Sequence, residues 1–267
     1  MFRLLAWRSV RKLISGITPR DQEIIDRSAR LGLRRSMGRL DEWMDPELTD
    51  DAMVLVEGVG RFEVRARTDD LYHVLPTREP AILDAVRRLK PGEQFVDAGA
   101  NIGFYTIAAA TSVGPNGKVV AIEMIPGTAE ILERHLILNG SGNVKLVVAA
   151  LSDHAGSAVE AIVPVGKFGQ ASIARHASKS GDNVRISVVT ATLDALLADE
   201  PGPIALIKLD LEGAELDALK GAAKTLERSQ AVIFEALGNS DEVPALLGSA
   251  GFRLERLDGN NWLATRT

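Results

Sequence analysis

Residues 94–103 read Gln94-Phe95-Val96-Asp97-Ala98-Gly99-Ala100-Asn101-Ile102-Gly103, an apolar run that breaks on an acid into small residues and glycines. A short buried strand, a small-residue turn and then the helical pattern of 102–113 make a strand–turn–helix unit. Working outward, the unit repeats. The helix stops at Gly114-Pro115, a second strand covers 118–122, helical spacing covers 128–138 up to Asn139-Gly140, and 144–150 is a third strand. Such alternation implies an α/β fold, a doubly wound and mostly parallel sheet with helices on both faces. It breaks at 156–191, where strands at 159–163 and 184–189 flank a Gly- and Ser-rich loop at 166–183. It resumes with a strand at 204–209, a helix at 214–228, a strand at 231–235, a helix at 241–249 and closing strands at 252–257 and 261–265.

Upstream, 53–66 alternates about Gly58-Val59-Gly60 as a hairpin, and 80–89 has helical spacing between Pro80 and Pro91-Gly92. Asp45-Pro46 and the acidic stretch to Asp51 mark a break. The expected organisation is a basic helical extension over 1–50, a hairpin and helix cap over 51–92, and the sheet domain over 93–267.

With 267 residues, one or two domains are expected. Apolar residues at 46% and charged residues at 25% exclude wholesale disorder and collagen-like structure. No apolar run has the length of a membrane span. The absence of cysteine excludes disulfide scaffolds, thiolate metal sites and cysteine nucleophiles, and fits a reducing, cytoplasmic compartment. The net charge of −5 divides unevenly: residues 1–39 carry a net +7, and 40–267 a net −12. An acidic body argues against nucleic acid as a partner. In the head, Phe2, Leu5, Val10, Leu13, Ile14 and Ile17 fall on one helical stripe opposite Arg8, Arg11, Lys12 and Ser15. We favour docking of this basic helix on its own domain or on a second subunit, as in a homodimer; peripheral attachment to an anionic membrane is the other reading.

In doubly wound sheets, ligands bind beyond the carboxyl ends of the strands where strand order reverses. The turn from Asp97 to Gly103 allows close backbone approach and opens a helix N-terminus to an anion. Its glycines are four apart, unlike the dinucleotide pattern GxGxxG, and a plain tight turn explains them equally well. Glu123 ends the second strand twenty residues past Gly103, where a carboxylate can accept both hydroxyls of a ribose. Together the two favour an adenosine-type nucleoside. A third stretch, Lys208-Leu209-Asp210-Leu211-Glu212-Gly213-Ala214-Glu215, runs from an apolar strand into charge. Asp210 is expected in the site and Glu215 on a helix surface.

These stretches resemble the FkbM family of S-adenosylmethionine-dependent methyltransferases. The resemblance covers roughly 69–236. It rests on Glu79-Pro80, Pro91-Gly92, Asp97 through Thr106, Glu123, Ala150-Leu151-Ser152-Asp153, Thr192-Leu193-Asp194, Lys208 through Glu215, Gly221-Ala222 and Glu235. Where the family usually has Glu-Pro, this chain has Glu123-Met124, with Pro126 two residues on. The resemblance implies a class I methyltransferase sheet with an antiparallel final strand, S-adenosylmethionine as cofactor, and O-methylation of a hydroxyl on a sugar, glycoconjugate or natural product. Asp97, Gly99, Ala100, Asn101 and Gly103 would then wrap the methionine part and Glu123 the ribose. Leu151, Ser152 and Asp153 would edge the adenine. Glu79, Tyr105 and Met124 would complete the cofactor contacts, and Asp210 would lie near the sulfonium and the acceptor.

An alcohol is a weak nucleophile, so a general base is expected. Asp210 and Glu212 are the first candidates; His176, in the 166–183 loop, and His73 compete. His135 reads as a surface residue and His154 as a turn residue. Asp210 and Glu212 also suit a divalent cation, although no spacing requires a metal. The 166–183 loop, the hairpin and the head are expected to wall the acceptor. Two other classes share these features: an NAD(P)-dependent oxidoreductase, disfavoured by the missing glycine and the 208–215 charges, and a non-catalytic binding subunit, disfavoured by the intact turn and ribose acid.

Overall fold

The computed structural model describes residues 12–38, 46–173, 183–236 and 241–267. Ile14–Gly16 is a strand, β1, which pairs antiparallel with β2 (Ala52–Val56); β2 in turn pairs with β3 (Gly60–Val64) in the expected hairpin. The helical stripe expected over 2–17 therefore gives way at Ile14–Gly16, where buried, β-branched Ile14 adds to an open sheet edge; residues 1–11 lie outside the described residues. Helix α1 (Pro19–Gly38) follows. Thr18 and Asp21 cap it reciprocally: the Asp21 N–H donates to the Thr18 hydroxyl (3.2 Å), and the Thr18 N–H donates to the Asp21 carboxylate (2.9 Å). The second Asp21 oxygen accepts the Met53 N–H at 3.1 Å, so the cap of α1 also fastens it to β2. A single turn, α2 (Asp70–His73), precedes α3 (Pro80–Arg87), which has Pro80 in its first turn.

The central elements are β4 (Gln94–Ala98), α4 (Phe104–Val113), β5 (Lys118–Glu123), α5 (Pro126–Asn139) and β6 (Val144–Val148). An insertion follows with β7 (Ala150–Leu151), β8 (Ala158–Pro164), a 3-10 turn at Phe168–Gln170, β9 (Ser172–Ile173) and β10 (Asn183–Ala191), forming a four-stranded sheet in the order β7-β10-β8-β9. The chain continues through α6 (Leu193–Leu196), β11 (Leu206–Leu209), α7 (Glu215–Lys220), α8 (Ala223–Glu227), β12 (Ala231–Glu235), α9 (Glu242–Ser249), β13 (Phe252–Asp258) and β14 (Asn261–Arg266). The main sheet has the order β13-β14-β12-β11-β4-β5-β6. Pairs among β12, β11, β4, β5 and β6 are parallel, whereas β14 runs antiparallel to β12 and β13, the expected reversed final strand. Strand order reverses between β4 and β11, so their carboxyl ends form the crevice.

Two local features set the packing around that crevice. Helix α4 is apolar nearly all round because both its faces are covered, by the sheet and by the cap. The Phe62 ring of β3 lies 6.1 Å from that of Phe104. His135, read from sequence as a surface residue, is fully buried where β3 covers α5. Its Nδ1 donates to the Ile102 carbonyl (2.7 Å) and its Nε2 accepts the Glu63 N–H (2.8 Å), an arrangement only the neutral ring satisfies. Burial accordingly lowers its pKa.

The helix expected over 214–228 is two helices, split at Gly221. A Cβ on Gly221 would lie 2.3 Å from the Ser152 carbonyl oxygen, so the backbones meet there. Asp194 caps the second helix, accepting the Lys224 and Thr225 N–H groups at 3.1 and 2.7 Å. Among the described residues no helix is long and apolar enough to cross a membrane.

Candidate active site

The turn after β4 is shaped by contact as much as by backbone freedom. Gly99 (φ +78°) has no room for a side chain, since a Cβ would sit 1.9 Å from the Asp210 carbonyl oxygen; at Gly103 (φ +92°) it would sit 2.1 Å from Leu132 Cδ1. Asn101 between them also takes a positive φ, +49°. Glu123, at the end of β5, pins this turn: its carboxylate accepts the Asn101 N–H at 2.8 Å and the Ile125 N–H at 2.9 Å. Burial pushes its pKa up to about 7 against the pull of those two donors. Two residues past Met124, which stands where the family usually has proline, Pro126 enters the first turn of α5.

Beneath the crevice lies a buried ionic network. Lys208, in the middle of β11 and opposite Asp97 of β4 in register, is 2% exposed. Its ammonium lies 3.6 Å from Asp97, 3.4 Å from Asp210 and 5.3 Å above the Tyr105 ring, and it donates to the Gly99 carbonyl at 3.4 Å. Burial works against that charge, but Asp210 and Asp97 outweigh it and raise the Lys208 pKa. Burial pushes Asp97 up; Lys208 and the Thr106 hydroxyl, donating at 2.6 Å, pull the other way. Asp210 stands beside Lys208, with Arg78 at 3.8 Å, and these cations hold it below the usual carboxylate range despite burial. Arg78 also pairs with Glu79 (3.2 Å), which accepts from the Tyr105 hydroxyl (2.8 Å) and Asn261 (3.2 Å). Glu79 thus ties the start of α3 to α4 and β14.

At the mouth, carboxylates crowd together and hold their protons. Glu212, half-buried at φ +51°, is pushed up to about 8 by burial and by the neighbouring carboxylates of Asp210, Glu235 and Glu215. Glu235 rises to about 7 by burial, Asp210 and Glu79. Glu215, expected on a helix surface, is buried; its carboxylate accepts the Leu211 N–H at 2.8 Å and the Gly213 N–H at 3.3 Å, stapling the acidic turn. An acid at the head of a helix is favoured by the free N–H groups there, and that was the available signal.

One cleft of about 800 Å³, part of it open to solvent, gathers Gly99, Ala100, Asn101, Gly103, Tyr105, Glu123, Met124, Leu151, Asp210 and Glu212. Asp97 lies under it and Glu79 behind Tyr105. Ser152 and Asp153 do not line it: Ser152 is buried against Gly221, and Asp153 is exposed and paired with His154 at 2.5 Å. His176 lies outside the described residues. The hairpin, expected to wall the acceptor, packs instead on α4 and α5 away from the cleft. His73, Arg78, Lys208, Phe168 and Gly169 do line it. Of these, a lysine inside an apolar strand was a visible signal, and Phe168 and Gly169 belong to the 166–183 loop expected to wall the acceptor, although neither stood out there as a residue. Among the described residues no three His, Asp or Glu side chains are grouped to hold a metal ion.

The lining fits S-adenosylmethionine. Ile122, Met124, Ala149 and Leu151 form an apolar wall beside Glu123, as an adenine next to its ribose requires. In the same lining, Asn101 Oδ1 is a buried acceptor with no protein partner among the described residues, suited to an ammonium donor. The family model described as Methyltransferase FkbM domain matches residues 97–254. Methyltransferase sdnD of Sordaria araneosa is 29% identical over 198 residues, covering 62% of this chain and 76% of that protein. Protein-L-isoaspartate O-methyltransferase 1 of Archaeoglobus fulgidus is 37% identical over 68 residues, 26% of this chain and 32% of its own. Among solved structures, methyltransferase FkbM from Methylobacillus flagellatus KT aligns at a TM-score of 0.47 and 14% identity, covering 99% of this chain and 59% of that one. With its glycine turn, the strand-end acid Glu123 and the acidic end of β11 inside the matched segment, the chain belongs to the FkbM family of S-adenosylmethionine-dependent methyltransferases.

Proposed function

We propose that this methyltransferase acts on a hydroxyl oxygen of an uncharged, polyhydroxylated acceptor such as a sugar or a glycosylated natural product, with Glu212 as the general base. The observation that carries the reading is Glu212 itself: a half-buried carboxylate at the cleft mouth whose pKa stands at about 8. A base poised near the working pH is effective at taking the proton of a hydroxyl as its oxygen attacks. Asp210, the other candidate, is committed to Lys208 and Arg78 and has a lowered pKa, which makes it a weaker base and a better fixed charge.

S-adenosylmethionine bound in the cleft supplies the electrophilic methyl group. Glu123 would hold the ribose, Met124 and Leu151 the adenine, and Asn101 with the 99–103 turn the methionine part. Asp210 would offer negative charge near the sulfonium, and Phe168 with the 99–103 turn would exclude water. The carboxylates of Glu212, Glu235 and Asp210 act on one another, with Glu79 behind them acting on Glu235, while Lys208 and Arg78 are engaged by carboxylates. With Lys208 and Arg78 already paired, and with Glu212 and Glu235 holding protons near neutral pH, this arrangement offers little to a phosphorylated or carboxylated acceptor and suits hydrogen bonding to neutral hydroxyls.

Screening neutral sugars, polyols, amines and their phosphorylated counterparts with methyl-labelled cofactor tests the acceptor class, the position of the label being read by NMR. We expect label on oxygen of a neutral acceptor; label on nitrogen would overturn the reading. With that acceptor, kcat/KM should rise with pH and level off near 8, and Glu212→Gln should lower kcat by about 10²–10⁴-fold and abolish the inflection.

A further inference from the structure

The stretch between the hairpin and α3 reaches across the molecule to the insertion. Asp69, 4% exposed, accepts the Phe168 N–H at 3.1 Å on one carboxylate oxygen and the Gly169 N–H at 3.2 Å on the other. The second oxygen also faces His73 Nε2 at 3.2 Å, and the Asp69 N–H donates to the Gly166 carbonyl at 3.0 Å. Its neighbour Asp70 grips the Arg65 guanidinium at 2.7 Å through both oxygens, and that guanidinium lies 4.0 Å from the Phe168 ring centre. Two successive acids, some hundred residues away in sequence, thereby hold both the backbone and the side chain of the 166–170 turn.

We propose that Asp69 is a positioning residue for the cofactor: it holds the Phe168–Gly169 turn down as the roof of the S-adenosylmethionine cleft and sets the His73 ring against it. Phe168, Gly169 and His73 all line that cleft along with Asn101 and Glu123. At Gly169 the fit leaves no room for one methyl group, since a Cβ would lie 2.0 Å from His73 Nε2 and 3.0 Å from Asn101 Nδ2. The roof, His73 and the cofactor turn therefore meet at one point. Without the Asp69 carboxylate the roof loses its anchors at the Phe168 and Gly169 N–H groups and keeps the one from the Asp69 N–H to the Gly166 carbonyl, so the cofactor must order it on binding. Apparent affinity then falls by the fraction of molecules in which the roof is closed. This rests on the cofactor alone and not on the acceptor class.

The test uses Asp69→Asn in the full chain, with S-adenosylhomocysteine titrated calorimetrically and amide exchange at Phe168 and Gly169 measured without ligand. Asparagine keeps one acceptor oxygen, so at least one of the two amides loses its acceptor and should exchange faster, and Kd should rise about tenfold, the effect of a roof closed one-tenth of the time. The thermal midpoint should move by no more than about 4 °C, the shift for roughly 1 kcal/mol at this size. Unchanged exchange and unchanged affinity would overturn the proposal. If Asp69→Asn does not fold, Gly169→Ala decides: it should weaken binding of the same probe, and His73→Ala in the same chain should restore most of the loss. Full affinity in Gly169→Ala, or no restoration by His73→Ala, would equally overturn it. A wrong acceptor assignment would leave all of these binding results untouched.

Discussion

Glu123 shows how a single side chain does two jobs at this site. Its carboxylate holds the glycine turn through two backbone N–H groups while facing the cleft. Glu123→Ala should lower affinity for S-adenosylhomocysteine about tenfold or more in calorimetry, as loss of a charge-assisted hydrogen bond does; unchanged affinity would remove it from the ribose contact. Much at this scale was legible beforehand, because a glycine turn and acids at the ends of neighbouring parallel strands fall together beyond the carboxyl edge of the sheet. The turn, Glu123, Met124, Leu151, Asp210 and Glu212 do meet in one cleft. Ser152 and Asp153 did not follow, since one step along a chain leaving a strand turns a side chain away. His135 and Glu215 were misread because burial by a distant hairpin, or by a helix's own entry turn, leaves no trace in local periodicity.

At the scale of elements, motifs outside the cleft have a mechanical meaning. Asp194 caps α8, and the Asp194 N–H donates to the Gly221 carbonyl, so α6 is tied to the joint between α7 and α8. Asp194→Ala should cost about 0.5–2 kcal/mol, the usual loss for a helix cap, read as a lower urea midpoint at constant m-value. Affinity for S-adenosylhomocysteine should not change, because Asp194 does not line the cleft. The strands and helices of the main sheet were readable from alternating periodicity. The division of residues 214–228 into two helices was not, because it follows from the approach of Gly221 to the Ser152 carbonyl, a long-range contact. Nor was β1, whose few residues become a strand only because β2 offers an edge.

For the whole molecule, the concentration of carboxylates at one end of the sheet sets the response to pH. Glu123, Glu212 and Glu235 have pKa values of about 7, 8 and 7 in the fold, well above the value of about 4.3 for a free glutamate. The folded state binds more protons than the unfolded one across that window, so stability is fully present below about 4.3 and is lost as pH rises through 8. His135, with a lowered pKa, acts in the opposite sense, its share being lost as pH falls. Three groups against one, the ligand-free protein should melt at a lower temperature at pH 9 than at pH 6, and Glu212→Gln should flatten the slope. A midpoint that rises over that range would contradict this balance.

The contact between Gly99 and the Asp210 carbonyl, reinforced by the Asp210 N–H donating to the Ala98 carbonyl at 3.0 Å, joins two segments more than a hundred residues apart into one corner. For protein engineering, the corner is a unit of exchange. A chimaera that takes residues 208–215 from a relative to acquire a new acceptor would have to take 97–103 from the same parent, since neither half has the clearance to adjust to a foreign partner.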